Sequence, residues 1–378
     1  MRDSQAAMHP LIEPSVQDKA RLYEKRKELL SLLSLLISGI YLLAFYLSGF
    51  SRDAALAVAR FSMPLAVLVY LLCFIPLACM LFPLSYIRDR VLEVRFGLSS
   101  QSTKSWFMDQ VKATLLGFCL GYPLLVLLFF LFTNTPHVWW LFGVCGLFIF
   151  QIMMLIIFPV LILPIFFKQN RIVDDDLLRS IKALFDKVHI NIEGVFAFNL
   201  SSKTKKENAM ITGLWKTRRV LLADTLLKNR TKEQLLVVLA HEIGHQSKRH
   251  ILKRAGIGIA SSFVLLYAVH RIMTLFPGFP EQVEAALSLF PVFMLVAGLF
   301  SFPLRTGLSA YERRTEREAD RVALELTGDA GAFITLMADL ANTNLAVAYP
   351  KRYRVILFYS HPPIGERIQF AQSLPTRT

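Results

Sequence analysis

Between Leu235 and His250 the chain reads LLVVLAHEIGHQSKRH. Apolar residues lead into His241, no proline interrupts, and a single glycine, Gly244, falls inside. That composition predicts a helix. His241 and His245 are four residues apart, so they project from one face and can share a zinc ion. Glu242 sits beside the first histidine and can take a proton from a metal-bound water. A catalytic zinc needs three protein ligands and one open position. The third ligand must therefore come from elsewhere in the chain.

A second stretch, Ser309 to Leu326 (SAYERRTEREADRVALEL), offers carboxylates on a strongly helical background. Glu312, Glu316, Glu318, Asp320 and Glu325 are all candidates. Glu316 and Asp320 share a face with Ala319 and Ala323, small residues that permit close packing. One carboxylate could bind zinc while the other holds a ligand histidine by its free ring nitrogen. Spacing alone also allows a plain solvated helix, with ion pairs to Arg313, Arg317 and Arg321. His250 falls five residues after His245, off the shared face, and reads as structural. His9, His137 and His189 have no motif around them. His361-Pro362-Pro363, on its residues alone, is a stiff loop.

The elements that must hold these groups lie in an unusually apolar chain. Of 378 residues, 54% are hydrophobic and 19% charged, and mean hydropathy is +0.47. Soluble domains are nearer about 25% charged, so a helical membrane protein is the expectation. Spans of about 20 apolar residues fall near 30–50, 61–83, 113–133, 138–167, 255–276 and 285–304. The fifth is interrupted by His270 and Arg271. Trp139 and Trp140 read as interface anchors. The four cysteines lie in apolar runs without a CxxC pair, which argues against disulfides and thiolate metal sites. The net charge of +14 fits a basic cytoplasmic face better than nucleic-acid binding. The segment 168–254 holds 18 Lys and Arg against 9 Asp and Glu. The positive-inside bias therefore puts it, both termini and the histidine helix in the cytoplasm.

The expected layout follows. A tail covers 1–29. Four spans lie within 30–167, with a loop at 84–112 on the side of the tail. The segment 168–254 carries the HExxH helix, two spans occupy 255–304, and 305–378 completes the site. Within 168–254, Asp174 to Val188 is patterned as an amphipathic helix and Glu193 to Leu200 as a strand. Asn208 to Leu222 reads as a hairpin, bending near Gly213 and Lys216–Thr217. The whole is mainly α, a polytopic helical membrane protein with an α+β zincin-type protease domain.

The motifs together resemble the integral-membrane zinc proteases of the type I CAAX prenyl endopeptidase family, which is related to the heat-shock protease HtpX. The resemblance is carried by HEIGH, the later YERRTEREAD, Arg95-Phe96-Gly97, Asn208-Ala209, Leu221 to Leu227 and YSHPPIGER at Tyr359 to Arg367. It implies one zinc per chain, held by His241, His245 and Glu316, with Glu242 as general base. Asp320 would orient a ligand histidine and His361 would stabilise the oxyanion. Asn208, Ala209 and Arg367 would bind the substrate, the first two on an edge strand that pairs with an extended peptide. The implied partners are the bilayer and a peptide or protein substrate, prenylated or membrane-embedded. The implied reaction is removal of a C-terminal tripeptide from prenylated proteins. Quality-control cleavage of membrane proteins is the alternative, and an inactive binding or transport chamber a more distant one. Lys206 and Glu207 replace a usual His-Ser pair, and Ser99-Ser100 replaces a usual Asn. The long insert and extra N-terminal span of eukaryotic members are absent from the pattern. A bacterial inner membrane is the favoured setting, with the endoplasmic reticulum as alternative.

Overall fold

The computed structural model describes residues 8–213, 218–277, 279 and 282–374. The expected bend at Lys216–Thr217 and the extreme ends of the tails lie outside them. Among the described residues, six helices are long and apolar enough to cross a membrane. The first four are α1 (Pro14–Leu47), α2 (Met63–Arg95), α3 (Thr103–Asn134) and α4 (Trp139–Phe166). Leu35, Leu36, Leu115 and Ile149 on these helices stay more than half exposed, as side chains facing lipid do. Two of the prolines find tolerated places. Pro64 lies in the first turn of α2, where its missing N–H costs nothing. Pro159 sits in a π-turn, Phe158–Ile162, that widens α4 and absorbs the lost hydrogen bond.

The chain then leaves the spans and builds a small mixed unit. It contains β1 (Gln169–Arg171), α5 (Asp175–Asp186), β2 (Gly194–Phe198), β3 (Ala209–Thr212), β4 (Arg219–Ala223), α6 (Asp224–Asn229) and α7 (Lys232–Ser247). The Asp174 carboxylate accepts from the N–H groups of Asp176 and Leu177, which starts α5. The sheet order is β1-β2-β4-β3. β4 runs parallel to β2 and antiparallel to β3, with Ala209 opposite Leu222 and Thr212 opposite Arg219. This leaves β3 as an edge strand. Val220, Leu221 and Leu222 of β4 are buried against Ile181 and Phe185 of α5 and Leu239 and Ile243 of α7 in one core.

Helix α8 (His250–Met273) and helix α9 (Phe290–Thr327) return through the apolar layer. Helix α9 runs on without a break past residue 304, so the last span and the carboxylate stretch form one rod. Three helices follow: α10 (Ala330–Thr343), α11 (Arg352–Phe358) and α12 (Ile364–Ser373). The far end of the bundle is an aromatic cluster of Tyr70, Phe129, Phe132 and Trp139. Trp139 is fully buried there, packs edge-on against Phe132 and donates to His270 Nδ1 at 3.0 Å. It is a packing residue, not the interface anchor that its position suggests, because the aromatic cluster outcompetes the headgroup layer for its ring.

The two ends of the chain meet on the domain. Glu24 and Glu28 of α1 pair with Arg354 of α11, and Tyr359 donates to Glu24 at 2.6 Å. Gln17 bonds the backbone of Ala346 and Ala348. Helix α1 therefore extends out of the apolar layer and braces the strap that carries His361.

Candidate metal centre and substrate cleft

Helix α7 is well started. Thr231 and Gln234 cap each other's backbone N–H groups in a reciprocal box. It crosses α9 closely, because Gly244 faces Ala319 with no room for a side chain between them. That crossing brings the two motifs together. His241 Nε2 and His245 Nε2 are 3.2 Å apart, and each lies 3.3 Å from an oxygen of Glu316. A tetrahedral zinc with bonds of 2.0–2.1 Å has ligand–ligand edges of about 3.3 Å, so the triangle fits that ion. Oε2 of Glu316 is buried without a hydrogen bond, an arrangement that is costly unless a cation compensates it. Burial opposes charge on His241, yet the hydrogen bond of Asp320 and the nearby Glu316 carboxylate outweigh it and raise the ring to about 9. The site attracts positive charge.

The other carboxylates of α9 separate by partner. Asp320 is buried and accepts at 2.9 Å from Nδ1 of His241, the nitrogen turned away from the triangle. Glu312 pairs with Arg254 at 2.9 Å, Glu318 meets His250, and Glu325 is exposed. Arg367, from α12, donates from Nε and Nη2 to the two oxygens of Asp320 at 2.8 and 2.5 Å. His361 stands at the rim with Nε2 3.5 Å from Glu316 and its ring largely exposed. Its Nδ1 contacts Ser360 Oγ at 2.9 Å. Burial holds Glu242 above the ordinary carboxylate range, with the neighbouring histidines opposing.

Two cavities open along β3. One, of about 220 Å³, includes Asn208, Ala209, His241, Glu242 and Arg367, and its inner wall is apolar, with Val238, Leu336 and Met337. The other, of about 350 Å³, continues past Ile211, His245 and Ile251. Next to it lies an apolar pocket of about 440 Å³ between Ile211, Ile251 and the π-turn of α4 at Phe158–Pro159. The loop after α2 reaches the start of β3. Lys205 N donates to Leu98 O at 2.8 Å, and Ser99 bridges to Thr204. Lys206 and Glu207 are anchored too. Lys206 pairs with Glu93, and buried Glu207 takes Arg230 at 2.6 Å. Both residues are thus tied by ion pairs at the entry to the edge strand.

One contact was not expected from the sequence, which put His250 off the shared face as a structural residue. His250 Nδ1 lies 3.0 Å from His245 Nδ1, and His250 Nε2 lies 3.2 Å from Glu318. Helical spacing hid this contact. Arg249 takes the left-handed conformation (φ 55) and swings His250 back over the face it would otherwise leave.

Comparison with known proteins gives the family. Residues 172–374 match peptidase family M48. The chain belongs to that family. Residues 2–168 match the CAAX prenyl protease N-terminal family, described as five membrane helices; this chain has four candidate spans there among the described residues. CAAX prenyl protease 1 of Saccharomyces cerevisiae is 28% identical, over 97% of this chain and 88% of the relative. The uncharacterized metalloprotease YhfN of Bacillus subtilis is 30% identical over 77% of this chain and 69% of the relative. The crystal structure of S. mikatae Ste24p superposes with a TM-score of 0.84 at 25% identity, over 97% of this chain and 91% of that one. This M48 member is a multi-pass integral membrane protein and a metalloendopeptidase.

Proposed function

We propose that the metal is zinc, held by His241, His245 and Glu316, and that the substrate is a membrane-associated protein with a lipid-modified cysteine near its C-terminus. The observation that carries this reading is the free edge of β3 lying beside the donor triangle, with an apolar pocket on the membrane side of the same cleft. A substrate adding antiparallel to β3 runs its C-terminal residues towards Asn208. There the smaller cavity offers an aliphatic side chain a place beside Val238 and Leu336. Its preceding residues run towards Ile211, where the larger pocket takes a lipid chain. An apolar cavity of about 150 Å³ holds one benzene ring; this pocket is nearly three times that size, more than a single amino-acid side chain requires.

Zinc, when bound, supplies a Lewis acid for the scissile carbonyl and acidifies water. Glu242 takes the proton of the attacking water and returns it to the leaving amine. Its burial suits a base poised nearer neutrality than a surface carboxylate. His361 donates to the developing oxyanion at the exposed rim. Asp320 fixes the His241 ring, and Arg367 pins Asp320 while keeping N–H groups free for a substrate carbonyl. The concentration of basic residues in 168–254 supports a cytoplasmic site and cytoplasmic termini.

The test compares three substrates with purified protein and zinc: a farnesylated CAAX peptide, the same peptide without lipid, and an unfolded membrane protein. Efficient release of the C-terminal tripeptide from the first alone is expected. Equal cleavage of the unlipidated peptide overturns the lipid assignment. Cleavage of the unfolded protein alone turns the reading to quality control.

A further inference from the structure

We propose that His250 and Glu318 form a positioning chain that holds His245 in its metal-binding tautomer. The inference rests on the zinc reading above. The ring nitrogens allow one consistent proton assignment. If Nε2 of His245 faces the metal, its Nδ1 carries the proton. The facing atom, His250 Nδ1 at 3.0 Å, must then accept, so the proton of His250 lies on Nε2. That N–H donates to Glu318 Oε2 at 3.2 Å. In the reverse assignment His250 donates to His245, and the His245 proton moves to Nε2. It would then point between His241 Nε2 and Glu316, where the metal belongs. The chain therefore selects the tautomer that leaves a lone pair for the ion.

Three further observations support a positioning role. His250 is buried, with 5% of its side chain exposed, while Glu318 reaches solvent at 40%. The imidazole thus links a surface carboxylate to a half-buried ligand. Arg249 adopts a left-handed backbone that residues with a side chain avoid, and this turn sets His250 against His245. The two metal histidines are also treated alike. His241 has Asp320 and Arg367 behind it, and His245 has His250 and Glu318. Ligand histidines ordinarily engage their second nitrogen with a carboxylate, carbonyl or water; here a second imidazole does so. Because His250 opens α8, the chain also links the zinc helix to a membrane helix.

The test measures zinc affinity of the full-length protein by competition with a chelator of known strength, beside thermal melting without metal. Asparagine puts an amide oxygen where the accepting Nδ1 was, glutamine puts its amide near Nε2, and leucine removes both. Loss of such an outer partner costs about 10–100-fold in metal affinity. His250→Leu should show that loss, His250→Asn should recover most of it, and His250→Gln should lie between. Glu318→Gln, which can still accept from Nε2, should lose less than His250→Leu. A His250→Leu protein that melts like wild type and binds zinc equally well overturns the proposal. So does His250→Asn binding no better than His250→Gln, and that comparison decides the case where the leucine variant does not fold. A wild-type chain that binds no zinc removes the zinc reading itself, and this inference with it.

Discussion

Gly244 separates fold stability from metal geometry. In an ordinary helix Gly→Ala gains about 0.8–1 kcal/mol. At Gly244 the new Cβ would lie 2.8 Å from Ala319 Cα, 3.1 Å from its oxygen and 3.2 Å from its Cβ. The nearest atoms are backbone, so no rotamer change relieves the contact. Ordinary contact begins near 3.4 Å, which forces α7 and α9 apart by 0.6 Å at this point. Overpacking of this kind costs about 1–3 kcal/mol, partly offset by the helix gain, so a net loss of about 0–2 kcal/mol leaves the protein folded. The metal triangle is less forgiving. Glu316 lies one turn from Ala319, and ligand distances tolerate only about 0.2 Å. Gly244→Ala should therefore weaken zinc binding by at least about tenfold, in line with disturbed outer support, while melting without metal within a few degrees of wild type. Gly256 on α8 is the control, because a Cβ there meets nothing within 4 Å, and alanine should be neutral or mildly stabilising. Wild-type zinc affinity in Gly244→Ala would show that the helix crossing does not set the ligand spacing.

Glu242→Gln should bind zinc at one ion per chain yet lose about 10²–10⁴-fold in hydrolysis, the usual share of a general base; turnover near wild type refutes its role. Glu316→Ala should lose metal on dialysis, because two histidines do not make a catalytic site. Asp320→Ala should keep metal in excess zinc and lose it under a chelator, so equal metal contents in the two variants would reverse the assignment. Arg367→Ala leaves buried Asp320 with His241 as its remaining partner and should destabilise the fold by about 1–3 kcal/mol, read by thermal melting; an unchanged melt would show the ion pair to be unimportant. Reporter fusions at the two termini should fall on one side of the membrane and a reporter in the 134–137 loop on the other, and any other pattern contradicts six spans.

Much of the fold was readable because membranes impose a coarse code. Long uncharged runs are unmistakable, and HExxH on a helix fixes two side chains by period alone. The third ligand was not fixed in this way. Five carboxylates share the α9 stretch, and the packing of α7 on α9, closest at Gly244–Ala319, brings Glu316 to the histidines. The parallel pairing of β2 with β4 was also hidden, since alternation shows a strand but not its neighbour. His250 was misplaced for a different reason. Helical periodicity assumes the helix continues, and a single left-handed residue at Arg249 invalidates it. Trp139 shows the same limit in the spans, where the aromatic pattern cannot distinguish a headgroup anchor from a packed ring.

Helix α9 also dictates an order of assembly. Glu316 and Asp320 stand at the distal end of the sixth candidate span, and His361 and Arg367 come later still. A nascent chain cannot complete the catalytic constellation until every transmembrane segment has been inserted. On the proposed site, hydrolytic competence waits for the C-terminal strap, which rests on α1 through Arg354 and Tyr359.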